Sequence, residues 1–115
     1  MGLDFCIEDK ECKVKNFPHW SYGGFNTFRE KIAHTLEINL QAYWDTIEKE
    51  TRGIDYLLNH SDCDGDIKPI HCAECAVDLA NIIKDWPNSF DKQQASLLIK
   101  CMEESARLNS PLIFC

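Results

Sequence analysis

Nowhere do apolar residues run for the roughly 18 positions that a membrane-spanning helix needs, so no contact with a bilayer is expected. Positive charge is scarce as well: 12 Lys and Arg stand against 19 Asp and Glu, a net charge of −7. The basic residues, among them Lys10, Lys13, Lys15, Arg29 and Lys31, are interspersed with acids. That pattern argues against direct binding to a nucleic-acid backbone, which draws on clustered cations. The start Met1-Gly2-Leu3-Asp4 does not open a signal peptide, and Cys6 stands where N-myristoylation needs Ser or Thr. The expected location is therefore the cytoplasm. No repeat, linker or low-complexity stretch divides the chain, and 115 residues with 44% hydrophobic content suit a single domain spanning 1–115. Neither a phosphate-binding glycine loop nor a serine in a nucleophile elbow is present.

What the chain does have is a dense stretch from His60 to Cys75, with three thiols, two imidazoles and three aspartates in sixteen residues. His60, Cys63, Cys72 and Cys75 follow the spacing His-x2-Cys-x8-Cys-x2-Cys. Four nitrogen and sulfur ligands so arranged suit tetrahedral zinc. Gly65, two residues after Cys63, lets the backbone fold back toward the sulfur, and Pro69 can open a helix that carries Cys72 and Cys75 on one face. The positive end of that helix would favour both thiolates. The plainer alternative is that Cys72 and Cys75 are small core residues beside Ala76 and Leu79, with His60 at a helix end. A disulfide is the third option, although seven cysteines in a reducing compartment argue for metal or free thiols.

Two other metal chemistries fit less well. With Gly65 set on the glycine of a calcium-binding helix-loop-helix, Asp62, Asp64 and Asp66 take ligand positions, but His60 and His71 fall where the first and last acids belong. The loop thus has that shape while carrying ligands that zinc prefers, and His71 or Asp64 could replace one of the four. The zinc deaminase pattern is approached by His60-x-Asp62 before Pro69 and Cys72-x2-Cys75. Asp62 is shorter than the usual glutamate, however, and Cys63 would fill the position that a catalytic zinc keeps for water. The site therefore reads as closed and structural, and the protein as not an enzyme.

Hydrophobic spacing predicts a mainly helical α+β domain. Leu3, Phe5 and Ile7 alternate as a strand, and a second extended piece could run from Cys12 to Phe17. Gly23-Gly24 mark a loop, after which Asn26 or Thr27 could cap a helix with Phe25, Phe28, Ile32 and Leu36 on one face. Leu40, Tyr43, Trp44 and Ile47 define a second helix, interrupted near Gly53 before Ile54, Leu57 and Leu58. A helix after Pro69 stops at Asp85-Trp86-Pro87-Asn88, and the last runs from about Phe90 to near Asn109. Leu112-Ile113-Phe114 then pairs with the N-terminal strand, giving a compact helical domain with a zinc-stapled loop and paired terminal strands. That pairing could bring Cys6 and Cys115 together, while Cys6, Cys12, Cys101 and Cys115 receive no ligand role.

The segment His19-Trp20-Ser21-Tyr22 offers Trp20 and Tyr22 as partner anchors, although a core tryptophan is an equal reading. Asp62, Asp64 and Asp66 are the acidic candidates for a partner surface. An acidic face can dock on a basic one, including one that normally holds nucleic acid, or serve solubility alone.

Several stretches carry a resemblance. Gly2-Leu3-Asp4-Phe5, His19 through Phe25 with Phe28-Arg29-Glu30-Lys31, Leu57 through Gly65, and Pro111 through Cys115 resemble a family of small phage and prophage proteins. Where that family's pattern has an acidic residue this chain has His71, so the metal could differ between members. The likeness implies a phage accessory protein acting in the infected bacterial host. Size, acidity and the loop are also similar to phage anti-CRISPR proteins that act on Cas9. The implied function is a zinc-containing inhibitor, monomeric or dimeric, that binds Cas9 through a basic surface and blocks nucleic-acid engagement without catalysis. The alternatives are a small zinc-dependent hydrolase or deaminase-like enzyme, and an EF-hand-like interaction module.

Overall fold

Ser21, Asn39 and Ser89 cap the starts of three helices, Pro69 opens a fourth, and the rest follows from what the helices bury. The structure, a computed structural model, describes residues 2–61 and 63–115. In chain order the described elements are β1 (Phe5–Cys6), α1 (Tyr22–Thr35), α2 (Leu40–Thr46), α3 (Asp55–Leu58), β2 (Asp66–Ile67), α4 (Pro69–Ile83), α5 (Phe90–Leu108) and β3 (Leu112–Phe114). The domain is α+β, as the hydrophobic spacing predicts. No helix among the described residues is long and apolar enough to cross a membrane.

α1 begins earlier than the sequence suggests. Ser21 caps it by accepting the Gly24 N–H at 2.9 Å, so Gly23 and Gly24 lie inside the first turn instead of in a loop, and Asn26 and Thr27 are helical. A Cβ on Gly24 would stand 2.8 Å from the Ser21 hydroxyl, so the glycine leaves room for the cap. Ser89 caps α5 in the same way, through the Lys92 N–H. Asn109 ends α5 in the left-handed conformation at φ 52°, with Ser110 N–H donating to the Ser105 carbonyl.

α4 and α5 pack against each other along most of their lengths and bury Cys72, Cys75, Leu79, Leu98, Cys101 and Met102. A second part of the same core is aromatic, where Trp20 stacks on Phe28 and Phe5 meets Phe25 and Phe114 edge-on. β3 is the middle strand of an antiparallel sheet ordered β1-β3-β2, with Phe5 opposite Phe114 and Ile67 opposite Leu112. The terminal pairing thus matches expectation. β2 was not legible, because two residues have no detectable period and their strand character comes from β3. The extended piece expected at Cys12–Phe17 joins no strand; its Cys12, Val14 and Phe17 lean on the core from an irregular segment.

Candidate binding cleft beside the His60 loop

The site is built from the end of α3, the loop after it and the start of α4. α3 is a single turn, too short to hold itself. Its anchor is the buried Asp55 carboxylate, which accepts the Arg52 N–H at 2.9 Å, the Thr51 N–H at 3.1 Å, the Tyr43 hydroxyl at 2.8 Å and the Arg52 guanidinium at 3.1 Å. Burial works to raise this carboxyl, but the Arg52 and Thr51 backbone donors, with Tyr43 and Arg52, outweigh it and hold it down to about 2. The segment before α3 lies hard against α4: a Cβ on Gly53 would stand 2.4 Å from the Glu74 carbonyl carbon and 2.5 Å from the Cys75 nitrogen.

The loop is tied to the core at several points. The His60 ring stacks on Phe114 with centroids 3.8 Å apart, and its two nitrogens sit 2.8 Å from the Ser61 carbonyl and 2.9 Å from the Asp66 carbonyl. Buried Arg29 donates to the His60 carbonyl at 2.6 Å while its guanidinium lies over Phe25 and Trp44. Gly65 turns the chain at φ 90°, and its carbonyl accepts the Phe114 N–H at 2.8 Å. Across the gap, Tyr56 stacks on His71 at 3.7 Å. Between these walls lies a cleft of about 470 Å³ with Glu50, Asp64 and Asp66 on its lining, and Lys68 as its cation. Asp64 and Asp66 are exposed and, among the described residues, enter no ion pair.

The sequence-predicted ligands are spread over different surroundings. Cys72 and Cys75 are fully buried on the inner face of α4, and burial pushes both thiols up. Cys72 donates to the Ile67 carbonyl at 3.5 Å. Cys63 is exposed on the loop, and His60 engages two backbone carbonyls. Among the described residues no group of three or more His, Cys, Asp or Glu is gathered to hold a metal ion. Asp62 lies outside the described residues. His71 lines the cleft, with its Nδ1 buried and, among the described residues, without a hydrogen-bond partner.

The partner-binding candidates divide. Trp20 is in the core, 1% exposed, donating its indole N–H to Asp91 at 3.1 Å, so it takes the core reading and offers no face to a partner. Tyr22 is exposed on the first turn of α1 and does not line the cleft. Tyr56, Glu50 and Lys68 drew no attention in the sequence, because only the folding of α3 onto α4 makes them neighbours of the loop. The folded chain also gathers Lys13, Lys15, Lys100 and Arg107 around a second groove, which Glu103 and Glu104 share.

Comparison of the chain with family models, curated proteins and solved structures returns no match.

Proposed function

We propose that the protein is a non-catalytic acidic binding module that docks on a basic surface of a protein partner through the His60 loop and its cleft. The observation that carries this reading is the pair Asp64 and Asp66: exposed, without an ion pair among the described residues, on a loop pinned to Phe114, Arg29 and β3. Carboxylates on a fixed backbone lose little entropy on meeting cations, and they favour fast, salt-sensitive association. The resemblance to small phage proteins makes the first partner to test a host defence nuclease, Cas9, in the cytoplasm of an infected bacterium. Its positively charged nucleic-acid channel offers the complementary surface. The action is stoichiometric, with no turnover and no direct contact to nucleic acid.

The test titrates the purified protein into a Cas9 cleavage reaction. Inhibition is expected near equimolar ratio, weakening as salt rises above about 0.1 M, where the screening length is about 10 Å. Asp64→Asn with Asp66→Asn should raise the inhibiting concentration about tenfold at unchanged Tm. No inhibition at any ratio, with no complex on gel filtration, rejects Cas9 as the partner.

A zinc staple held by His60, Cys63, Cys72 and Cys75 is a second reading, supported by their spacing and by the small size of the core that a metal would reinforce. It asks His60 to release its carbonyl partners and Cys63 to approach the start of α4. Under this reading the metal supplies rigidity to the docking loop.

A further inference from the structure

Antiparallel pairing of β1 with β3 sets Cys6 opposite Ile113, so Cys115, two residues further on, shares the face of the ladder that carries Cys6. The register is secured two rungs on, where Asp4 and Cys115 exchange backbone hydrogen bonds at 3.2 and 2.9 Å. The result is a contact between two thiols 109 positions apart in the chain, with the Cys115 sulfur donating to the Cys6 sulfur at 3.8 Å. Cys115 is exposed and Cys6 is half-buried. The inner face of the same strands, with Leu3, Phe5, Leu112 and Phe114, is packed into the core, so the two sulfurs are held near each other by the fold.

We propose that Cys6 and Cys115 form a redox-active dithiol that reacts with low-molecular-weight disulfides and closes to an intramolecular disulfide across the terminal sheet. The exposed Cys115, as its thiolate, attacks one sulfur of the small disulfide R–S–S–R. The S–S bond breaks, one RS⁻ leaves and takes a proton from water, and Cys115 carries a mixed disulfide. Cys6 then gives up its proton, and its sulfur attacks the Cys115 sulfur, expelling the second RS⁻. Two protein thiols are oxidised to one disulfide, and one R–S–S–R is reduced to two RSH. The order follows from access, and burial, which pushes the Cys6 thiol up to about 11, supports Cys115 as the first to react. The closed bond ties β1 to β3, the strand whose Phe114 is the seat of the His60 ring.

Exposed Cys63 is the internal control. Its sulfur is near the Ser61 hydroxyl and the Asp64 carboxylate, with no thiol among its contacts in the described residues, so there the first step should stop at the mixed disulfide. The experiment incubates the native protein with oxidised glutathione, quenches with acid and maps peptides by mass. The expected result is a Cys6–Cys115 cross-linked peptide, a glutathione adduct retained on Cys63, and a Tm about 10 °C or more higher in the cross-linked fraction without reductant. Cys6→Ser should retain glutathione on Cys115, and Cys115→Ser should abolish the cross-link. A stable adduct on Cys115 in the native protein, or Cys6 found cross-linked to a cysteine other than Cys115, overturns the proposal. Folding of the variants is checked by their unchanged far-UV circular dichroism. Should both fail that check, the native map and the Tm difference decide alone.

Discussion

Replacing Asp55 by Asn should cost about 2 kcal/mol at neutral pH, and that cost should vanish in acid. The carboxylate accepts hydrogen bonds from Arg52, Thr51 and Tyr43, which hold it down from an ordinary 3.8 to about 2. That gap, at about 1.4 kcal/mol per unit of pH, corresponds to about 2 kcal/mol of folding stability. Asn keeps the shape but sets an amide N–H₂ among donors, so at least one of these bonds is lost. The sign follows from a folded-state value below the unfolded one: the contribution is complete above about pH 4 and is lost as pH falls through about 2. Below that, the native Asp55 is itself neutral and the two proteins converge. Urea unfolding followed by tryptophan fluorescence at pH 7, 4, 3 and 2 reads this directly. For a chain of this size the midpoint of Asp55→Asn should lie about 1 to 2 M lower at pH 7. Using the difference between the curves removes other acids that titrate in the same range, such as Glu104, which Arg107 and the Lys13 N–H also hold down to about 2. Equal midpoints at pH 7, or a gap that persists at pH 2, would refute the role of Asp55 as the anchor of α3.

Gly53→Ala drives a methyl group into the backbone of α4 at Glu74 and Cys75, so the segment before α3 must retreat at a cost of about 1 to 3 kcal/mol; an unchanged Tm would contradict that close approach. On the zinc reading, protein prepared without chelator carries about one zinc per chain by elemental analysis, and metal-free preparations reject it. Cys63→Ser sharpens that test, because an exposed loop thiol leaves Tm unchanged whereas a ligand takes the metal and its folding contribution with it.

The two long C-terminal helices, α4 and α5, were determined by the sequence itself. Apolar residues at helical spacing from Ala76 to Ile83 and from Leu98 to Met102 fix which faces are buried, and Pro69 and Asn109 mark ends through local backbone preferences. Alternation at Leu3, Phe5 and Ile7 and the apolar Leu112 to Phe114 foretold the terminal pairing for the same reason: period two needs nothing beyond the chain's own order. The start of α1 was misjudged because glycine reads as a loop residue until the Ser21 hydroxyl is seen to take the Gly24 N–H. The role of Trp20 was open, since Asp91, its indole partner, lies 71 positions away. Only tertiary structure could decide the rest. Spacing alone admits a ligand pair or a core face for Cys72 and Cys75, and how deeply both lie in the fold is a tertiary fact. The stack of Tyr56 on His71 and the seat of His60 on Phe114 join residues with no shared local pattern. Their proximity comes from closing the chain around one core, where burial sets position and sequence distance has no say.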